Sequence, residues 1–147
     1  MDTSGRSFTP FSTLTLLLTG RCNLACSYCY QDKDHVGGTL PWDAARAALD
    51  LLFAHGTPPL TLEFSGGEPL LEAHLLKRCV EYVEKRSPIG KASVQCILTT
   101  NGTLLTPRRQ DFLAEHGFVL QLSFDGVPPV QKFRGRGSFR RVELHLV

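Results

Sequence analysis

The sequence has little net charge and lacks any long apolar run. Its 147 residues include 16 Lys and Arg and 14 Asp and Glu, so the formal net charge is only +2. This balance favours neither nucleic acid nor an anionic membrane surface as a partner. The apolar stretch at residues 14–18 is interrupted by Thr15, is closed by Arg21 and is far too short to span a bilayer. No small-residue cleavage site follows it, so we do not expect a signal peptide.

The sequence also lacks the even number of cysteines that is typical of a disulfide framework. It has five, and three of them, Cys22, Cys26 and Cys29, lie within eight residues. Clustered thiols of this kind are typical of a reducing compartment, so we expect a soluble, cytoplasmic protein. The other two, Cys79 and Cys96, are expected in the hydrophobic core, for which an apolar fraction of 42% is sufficient.

Strand-like and helix-like segments alternate along the chain. The strand-like segments are rich in β-branched and other apolar residues and end at glycine or asparagine turns; they are residues 14–19, 60–65, 92–99 and 118–124. Helical periodicity separates them. This alternation predicts parallel βα units and therefore an α/β fold.

Three helices are predicted between these strands. The first begins at Pro41, ends at Gly56 and has an apolar stripe made of Ala44, Ala48, Leu51 and Leu52. The second covers residues 71–85, with an inner face made of Leu75, Leu76, Cys79, Val80 and Val83. In the third, Thr106 is the expected N-cap, Pro107 is the first helical residue and Gly117 follows the end.

The C-terminal region allows two interpretations. Ser138 is a plausible helix cap, and Phe139, Val142 and Leu146 are spaced for one helical face, yet residues 142–146 also alternate as a strand would. The basic stretch at residues 132–141 is expected to be a solvated loop. In both cases the sequence stops within an element, and four parallel strands leave an unpaired edge. We therefore expect the chain to be a fragment of a longer protein.

Each predicted strand is followed by a turn with residues suited to ligand binding. These turns contain the cysteine loop (residues 22–29), Gly66-Gly67-Glu68-Pro69, Thr100-Asn101-Gly102 and Ser123-Phe124-Asp125-Gly126. Turns after parallel strands lie at one rim of a sheet or barrel, where ligands bind. Three thiolates at C-x3-C-x2-C spacing can bind three irons of a 4Fe–4S cluster and leave the fourth iron open. A tetrahedral zinc site that adds His35 is an alternative, although it would not explain the glycine-rich strand ends.

With these motifs, the sequence resembles the N-terminal half of a radical S-adenosylmethionine (SAM) enzyme. The cysteine loop matches the CxxxCxxC motif, including the aromatic Tyr28, and residues 66–69 match GGEP. Within that superfamily, residues 26–30 and the two later turns resemble anaerobic sulfatase maturases and related peptide-modifying enzymes, many of which carry a SPASM extension. The resemblance covers about residues 13–142. It implies a partial TIM barrel, of which residues 1–147 would supply about the first four βα units of the core domain.

The resemblance also implies the chemistry. SAM would bind the open iron of a 4Fe–4S cluster on Cys22, Cys26 and Cys29, and the reduced cluster would release a 5′-deoxyadenosyl radical that abstracts a substrate hydrogen. The protein would bind, orient and shield these groups. The implied partners are a protein or peptide substrate and an electron donor such as flavodoxin or ferredoxin. A small-molecule or cofactor-precursor substrate, and a truncated fragment without activity, are the alternatives.

Eight further residues are expected at the SAM site: Gly66, Gly67, Glu68, Pro69, Tyr28, Asn101, Ser123 and Arg134. The two glycines would let the backbone approach the ligand, and Glu68 would order their turn or pair with the SAM ammonium group. Pro69 would begin the next helix. By the resemblance, Ser123 and Arg134 would contact the ribose or carboxylate, Asn101 would contribute from the third strand, and Tyr28 would cover the cluster or the adenine.

Overall fold

Four parallel strands form a single sheet whose order follows the chain. The computed structural model describes residues 9–31, 37–87 and 94–144. The strands are β1 (Phe11–Thr19), β2 (Gly56–Gly66), β3 (Val94–Thr100) and β4 (Val119–Leu122). Each strand pairs in parallel with the next, in the order β1-β2-β3-β4. This arrangement confirms the predicted parallel α/β fold.

Helices connect the strands and follow the last one. They are α1 (Trp42–His55), α2 (Ala73–Arg86), α3 (Pro107–Glu115), α4 (Pro128–Gln131) and α5 (Ser138–Glu143), and a 3-10 turn, Pro69–Glu72, precedes α2. The predicted start of α3 is confirmed, because the Thr106 hydroxyl accepts a hydrogen bond from the Arg109 amide at 3.3 Å. None of the helices among the described residues is long and apolar enough to cross a membrane.

The C-terminal region differs from the predicted solvated loop. Residues 132–141 include most of α5, and the side chains of Gln131 and Ser138 are fully buried next to each other. Of the two interpretations of this region, the helix is correct as far as Glu143. Ser138 is not its cap: Gly137, with φ of 75°, occupies that position. Residues 145–147, including Leu146, lie outside the described part.

The hydrophobic core lies between one face of the sheet and the helices. Alternate strand residues point into it, as the pleat of a strand requires: Leu16, Leu18, Leu60, Leu62, Phe64, Cys96 and Leu98. All five residues predicted for the inner face of α2 are buried against them. Cys79 and Cys96 are therefore core residues, as expected.

The buried face of α1 agrees with the prediction only in part: Leu52 is buried as predicted and Ala48 packs against the core, but Ala44 and Leu51 do not. Ala45, Leu49 and Leu52 are fully buried, whereas Ala44 is exposed and Leu51 keeps 43% of its surface accessible. Alanine occurs on nearly every side of this helix, so two stripes one residue apart fit the sequence about equally well. Contact with β1 and β2 selects the stripe that carries Leu49.

The opposite face of the sheet is polar. The Thr15 hydroxyl donates to Glu63 Oε2 at 3.1 Å, and the Thr99 hydroxyl lies 3.0 Å from Glu63 Oε1 and 2.9 Å from Gln121 Oε1. This row crosses all four strands. A barrel closed by further strands would enclose this face.

Leu49→Ala and Leu51→Ala distinguish the two possible faces of α1. We expect Leu49→Ala to lower the free energy of unfolding by about 2–5 kcal/mol, because it leaves a cavity under the sheet. Leu51→Ala should change it by no more than about 0.5 kcal/mol, since Leu51 is largely exposed. Urea denaturation followed by circular dichroism measures both. A larger loss in Leu51→Ala would contradict the orientation of α1.

Candidate cofactor site

A cavity of about 240 Å³ lies at the carboxyl ends of the four strands. With the exception of Glu68 and Pro69, every residue predicted to bind iron or SAM lines this cavity. Residues that were not predicted, among them Ser65, Thr99 and Thr100, also line it. The cysteine loop, the two glycines of the GGEP turn, Asn101 and Ser123 reach it from the ends of β1, β2, β3 and β4, respectively. The prediction that the four turns meet at one rim is thus confirmed for the described residues.

The three thiols of the cysteine loop are free and accessible. Cys22 and Cys29 are exposed and Cys26 is half-buried. The Leu24 amide donates to Cys22 Sγ at 3.4 Å, and Asn101 Nδ2 lies 3.7 Å from the same sulfur. Partial burial raises the pKa of the Cys22 thiol above its ordinary value, and the Leu24 amide opposes that shift. The loop therefore presents sulfur ligands and already supplies N–H donors to one of them.

The spacing of the thiols in the structure tests the zinc alternative. No three His, Cys, Asp or Glu side chains of the described residues are arranged to hold one metal ion. Two sulfurs each about 2.3 Å from one zinc ion lie within about 4.6 Å of each other, whereas a cubane cluster places each thiolate on a different iron. The described residues therefore form no ready-made site for a mononuclear ion. His35, the fourth ligand of the zinc alternative, lies outside the described residues.

The Gly66-Gly67 turn lies directly against the chain that enters the cysteine loop. A Cβ on Gly66 would come within 2.4 Å of the Thr19 carbonyl oxygen, and one on Gly67 within 2.2 Å of the Arg21 carbonyl oxygen. The Gly67 amide donates to the Thr19 carbonyl at 2.8 Å. Gly66 also has φ of 127°, which disfavours a side chain. Close contact with the backbone of residues 19–21 is therefore enough to require glycine at both positions, even without a ligand.

Glu68 is a buried structural carboxylate. Its Oε1 accepts hydrogen bonds from the Leu70 amide at 3.1 Å and the Thr100 hydroxyl at 2.7 Å, and its Oε2 accepts from the Asn101 amide at 2.9 Å. Burial raises the pKa of this carboxyl, and the three hydrogen bonds oppose the shift. Of the two roles predicted for Glu68, the structure shows the ordering of the turn. Pro69 is buried at the start of the 3-10 turn, outside the cavity.

Asn101 connects the end of β3 with the cysteine loop. Its Nδ2 donates to Asn23 Oδ1 at 3.0 Å, in addition to its contact with Cys22, and its Oδ1 accepts from the Thr103 amide at 2.9 Å. Asn23 in turn donates to the Thr103 hydroxyl at 2.8 Å. These bonds hold the first cysteine in place. Ser123 lines the cavity and its amide donates to the Thr100 carbonyl at 2.9 Å.

Tyr28 and Arg134 share one carboxylate, that of Asp125. The Tyr28 hydroxyl donates to Asp125 Oδ2, Arg134 Nη2 donates to Asp125 Oδ1 at 2.8 Å, and the guanidinium carbon lies 5.4 Å from the centre of the Tyr28 ring. The Arg134 hydrogen bond lowers the pKa of Asp125, while desolvation and the hydrogen bond to Asp125 raise the pKa of Tyr28 to about 12. Arg134 Nε is buried and has no hydrogen-bond partner among the described residues.

Sequence reasoning missed the contribution of Asp125 and of the segment beyond it. The sequence allows Asp125-Gly126 to be either a turn or a binding element, since this dipeptide is common in turns, and it assigns no partner to Asp125. In the structure, the Ser27 amide donates to the Phe133 carbonyl at 2.9 Å, so residues from the C-terminal region support the cysteine loop. No local pattern indicates a contact between residues so far apart. The buried Gln131, whose Oε1 accepts from the Asp125 amide at 2.9 Å, was an overlooked polar signal.

Comparison with known proteins identifies the class to which this site belongs. The sequence model of the Radical SAM superfamily matches residues 16–144. The chain therefore belongs to the radical SAM superfamily, whose members are enzymes that use a 4Fe–4S cluster and SAM. This confirms the family that the cysteine and GGEP motifs indicated.

Relatives within the superfamily differ in what they act on. The chain is 40% identical over 106 residues to a GTP 3′,8-cyclase of Synechococcus sp. (strain WH7803), covering 69% of the chain and 30% of that protein. It is 30% identical over 144 residues to a serine-type anaerobic sulfatase-maturating enzyme of Klebsiella aerogenes, covering 91% of the chain and 35% of that protein. The chain thus spans about a third of the length of these relatives.

A solved structure supports the fold. Native anSMEcpe with bound AdoMet and a Kp18Cys peptide superposes with a TM-score of 0.80 at 24% identity, covering 94% of this chain and 40% of that one. The four βα units described above therefore correspond to part of a radical SAM core. At this level of identity the likeness concerns the fold alone.

Gly67→Ala and Gly38→Ala test why the GGEP turn requires glycine. We expect Gly67→Ala to lower the free energy of unfolding by about 1–3 kcal/mol, because the new methyl group meets the Arg21 carbonyl and the turn must move. A Cβ at Gly38 meets nothing within 4 Å, so Gly38→Ala serves as the matched control. Equal stability of the two variants in urea denaturation would show that the turn is not held against residues 19–21.

Proposed function

We propose that Cys22, Cys26 and Cys29 each bind one iron of a 4Fe–4S cluster and that SAM occupies the adjoining cavity. Residues 1–147 would then be the N-terminal part of a radical SAM core domain. The observation that carries this proposal is the single cavity that contains three free thiols beside the Gly66-Gly67 turn. When bound, the reduced cluster and SAM supply an organic radical that removes a hydrogen atom from a substrate.

The residues of this chain bind and orient the cofactors. Carbonyl groups of the Gly66-Gly67 turn, which lines the cavity, would accept hydrogen bonds from the SAM ammonium group. Arg134, which lines the cavity, would bind a carboxylate or ribose oxygen, while Asp125 accepts a hydrogen bond from its Nη2. Tyr28, fixed by the same Asp125, limits the access of water. Asn101 and Ser123 complete the wall on the side of β3 and β4.

The substrate that we propose for the whole protein is a residue of a protein or peptide. Two findings support this class. The likeness to the sulfatase-maturating enzyme extends over 91% of the chain, and a solved structure with the same fold holds a peptide beside AdoMet. The reaction would be a hydrogen abstraction that oxidises or otherwise modifies one side chain.

A second candidate is a small nucleotide or cofactor precursor. The higher identity, 40%, is to a GTP 3′,8-cyclase, although that match extends over a smaller part of the chain. The N-terminal part of the core binds the cofactors in both cases, so its likeness to each relative does not distinguish their substrates. Another GTP 3′,8-cyclase is 36% identical over 93% of the chain, so the extent of the match does not rank the two classes. We place the peptide first because residues 26–30 and the turns at residues 100–102 and 123–126 resemble those of sulfatase maturases.

Reduction of the cluster requires an electron donor, for which we propose a carrier of the flavodoxin or ferredoxin type. A cytoplasmic location agrees with this proposal. All five cysteines are free in the structure, and free accessible thiols persist in reducing compartments.

Cys26→Ala and Cys79→Ala test the cluster site. After anaerobic reconstitution with iron and sulfide, we expect the wild type and Cys79→Ala to be brown and to hold equal iron, because Cys79 lies in the core. Cys26→Ala should lose most of its iron and the visible absorbance, because one corner of the cluster is no longer bound to a thiolate. Iron analysis and absorption spectra measure both effects. Equal iron content in Cys26→Ala and Cys79→Ala would contradict the assignment.

The full-length reduced protein distinguishes the two substrate classes. We expect a cysteine- or serine-containing sulfatase peptide to accelerate the release of 5′-deoxyadenosine from SAM and to change in mass, whereas GTP should do neither. Chromatography and mass spectrometry follow the two products. Acceleration and conversion with GTP alone would replace the peptide assignment with the nucleotide one.

A further inference from the structure

A second cavity, of about 280 Å³, lies between α2 and α3 on the outer side of the fold. Its floor is apolar, formed mainly by Leu70, Leu76, Phe112 and Leu113, and three cations border it, Lys77, Arg108 and Arg109. We propose that this surface, the α2–α3 face, docks a small acidic protein that carries one electron to the cluster. The proposal rests on the proposed function, since only a bound cluster needs that electron.

The α2–α3 face lies near the rim that carries the cysteine loop. α2 follows the GGEP turn, and α3 follows the turn that begins at Asn101. Arg109 Nη1 donates to the Leu104 carbonyl at 2.6 Å. The neighbouring Thr103 hydroxyl accepts from Asn23, the residue after Cys22, at 2.8 Å. A short path of covalent and hydrogen bonds therefore connects the first iron ligand with a cation of this face.

The cations of this face are unusual for their position on the helix. Arg108 and Arg109 occupy the first turn of α3, which contains no acidic residue. The positive end of the helix dipole disfavours cations there. Neither guanidinium makes an ion pair with a carboxylate among the described residues. Arg109 is compensated in part by its hydrogen bond to the Leu104 carbonyl and by the nearby Glu68. The exposed Arg108 opposes the local preference without such compensation, and residues of this kind indicate a function.

Lys77 adds positive charge to this face from α2. It is exposed, and its nearest carboxylate, Glu81, is 3.8 Å away and also exposed, so this pair contributes little. The face thus combines an apolar floor with a positive border. An acidic surface around an apolar tip is its complement.

The chemistry of electron transfer suits a surface of this size. Encounters between redox proteins bury little area and depend on charge for orientation and rate. The donor loses one electron and the cluster gains one, and no bond forms or breaks. A compact cavity bordered by cations is sufficient for such a brief contact, whereas a permanent subunit would need a much larger apolar area.

The test is a double charge reversal, Lys77→Glu with Arg108→Glu, in the reconstituted full-length protein. The probe is a reduced two-iron ferredoxin of net negative charge. We expect the variant to bind ferredoxin about tenfold more weakly and to be reduced about tenfold more slowly, with a flatter dependence on salt. Reduction by dithionite should be unchanged. The thermal stability should not fall, because a glutamate at position 108 suits the start of α3.

The matched control is Arg46→Glu with Lys85→Glu, which changes the net charge equally at exposed positions away from the cavity. It should bind and accept electrons as the wild type does. The proposal is overturned if both double variants lose affinity equally, if neither does, or if the wild-type protein does not bind the ferredoxin. If the wild-type protein takes up no iron, or if dithionite does not reduce its cluster, the proposed function itself is contradicted. This inference then fails as well.

Discussion

The buried carboxylate of Glu68 is the interaction on which the arrangement of the site depends. Both of its oxygens accept hydrogen bonds, from the 3-10 turn on one side and from the end of β3 on the other. These bonds offset the cost of taking a carboxylate out of water. They also fix the distance between the second and third strand ends, and Asn101 carries that constraint on to Cys22.

The cysteine loop is held from two directions that come from different parts of the chain. On one side, Asn101 and Asn23 join it to the end of β3. On the other, the Phe133 carbonyl accepts the Ser27 amide, and Asp125 binds Tyr28. The loop itself contains no regular helix or strand. Its geometry therefore depends on segments from both halves of the described chain.

The features that could be predicted from the sequence are those that local residues determine. The spacing of apolar residues and the residue types at the turns were sufficient to predict the parallel strands and the buried face of α2. They also predicted the Thr106 cap and the meeting of the four turns at one rim. The face of α1 was predicted wrongly because alanines surround that helix. The Asp125–Arg134 pair and the buried Gln131 could not be found, because they depend on contacts that form only after the chain folds back on itself.

The chain order of the sheet has a consequence for synthesis on the ribosome. Each strand pairs with the one made just before it, so the sheet can grow by one strand at a time as the chain emerges. The partner of Ser27, however, is residue 133, which emerges more than a hundred residues later. Until then the nascent polypeptide lacks one of the two supports of the cysteine loop, and the three thiols are most accessible during that interval.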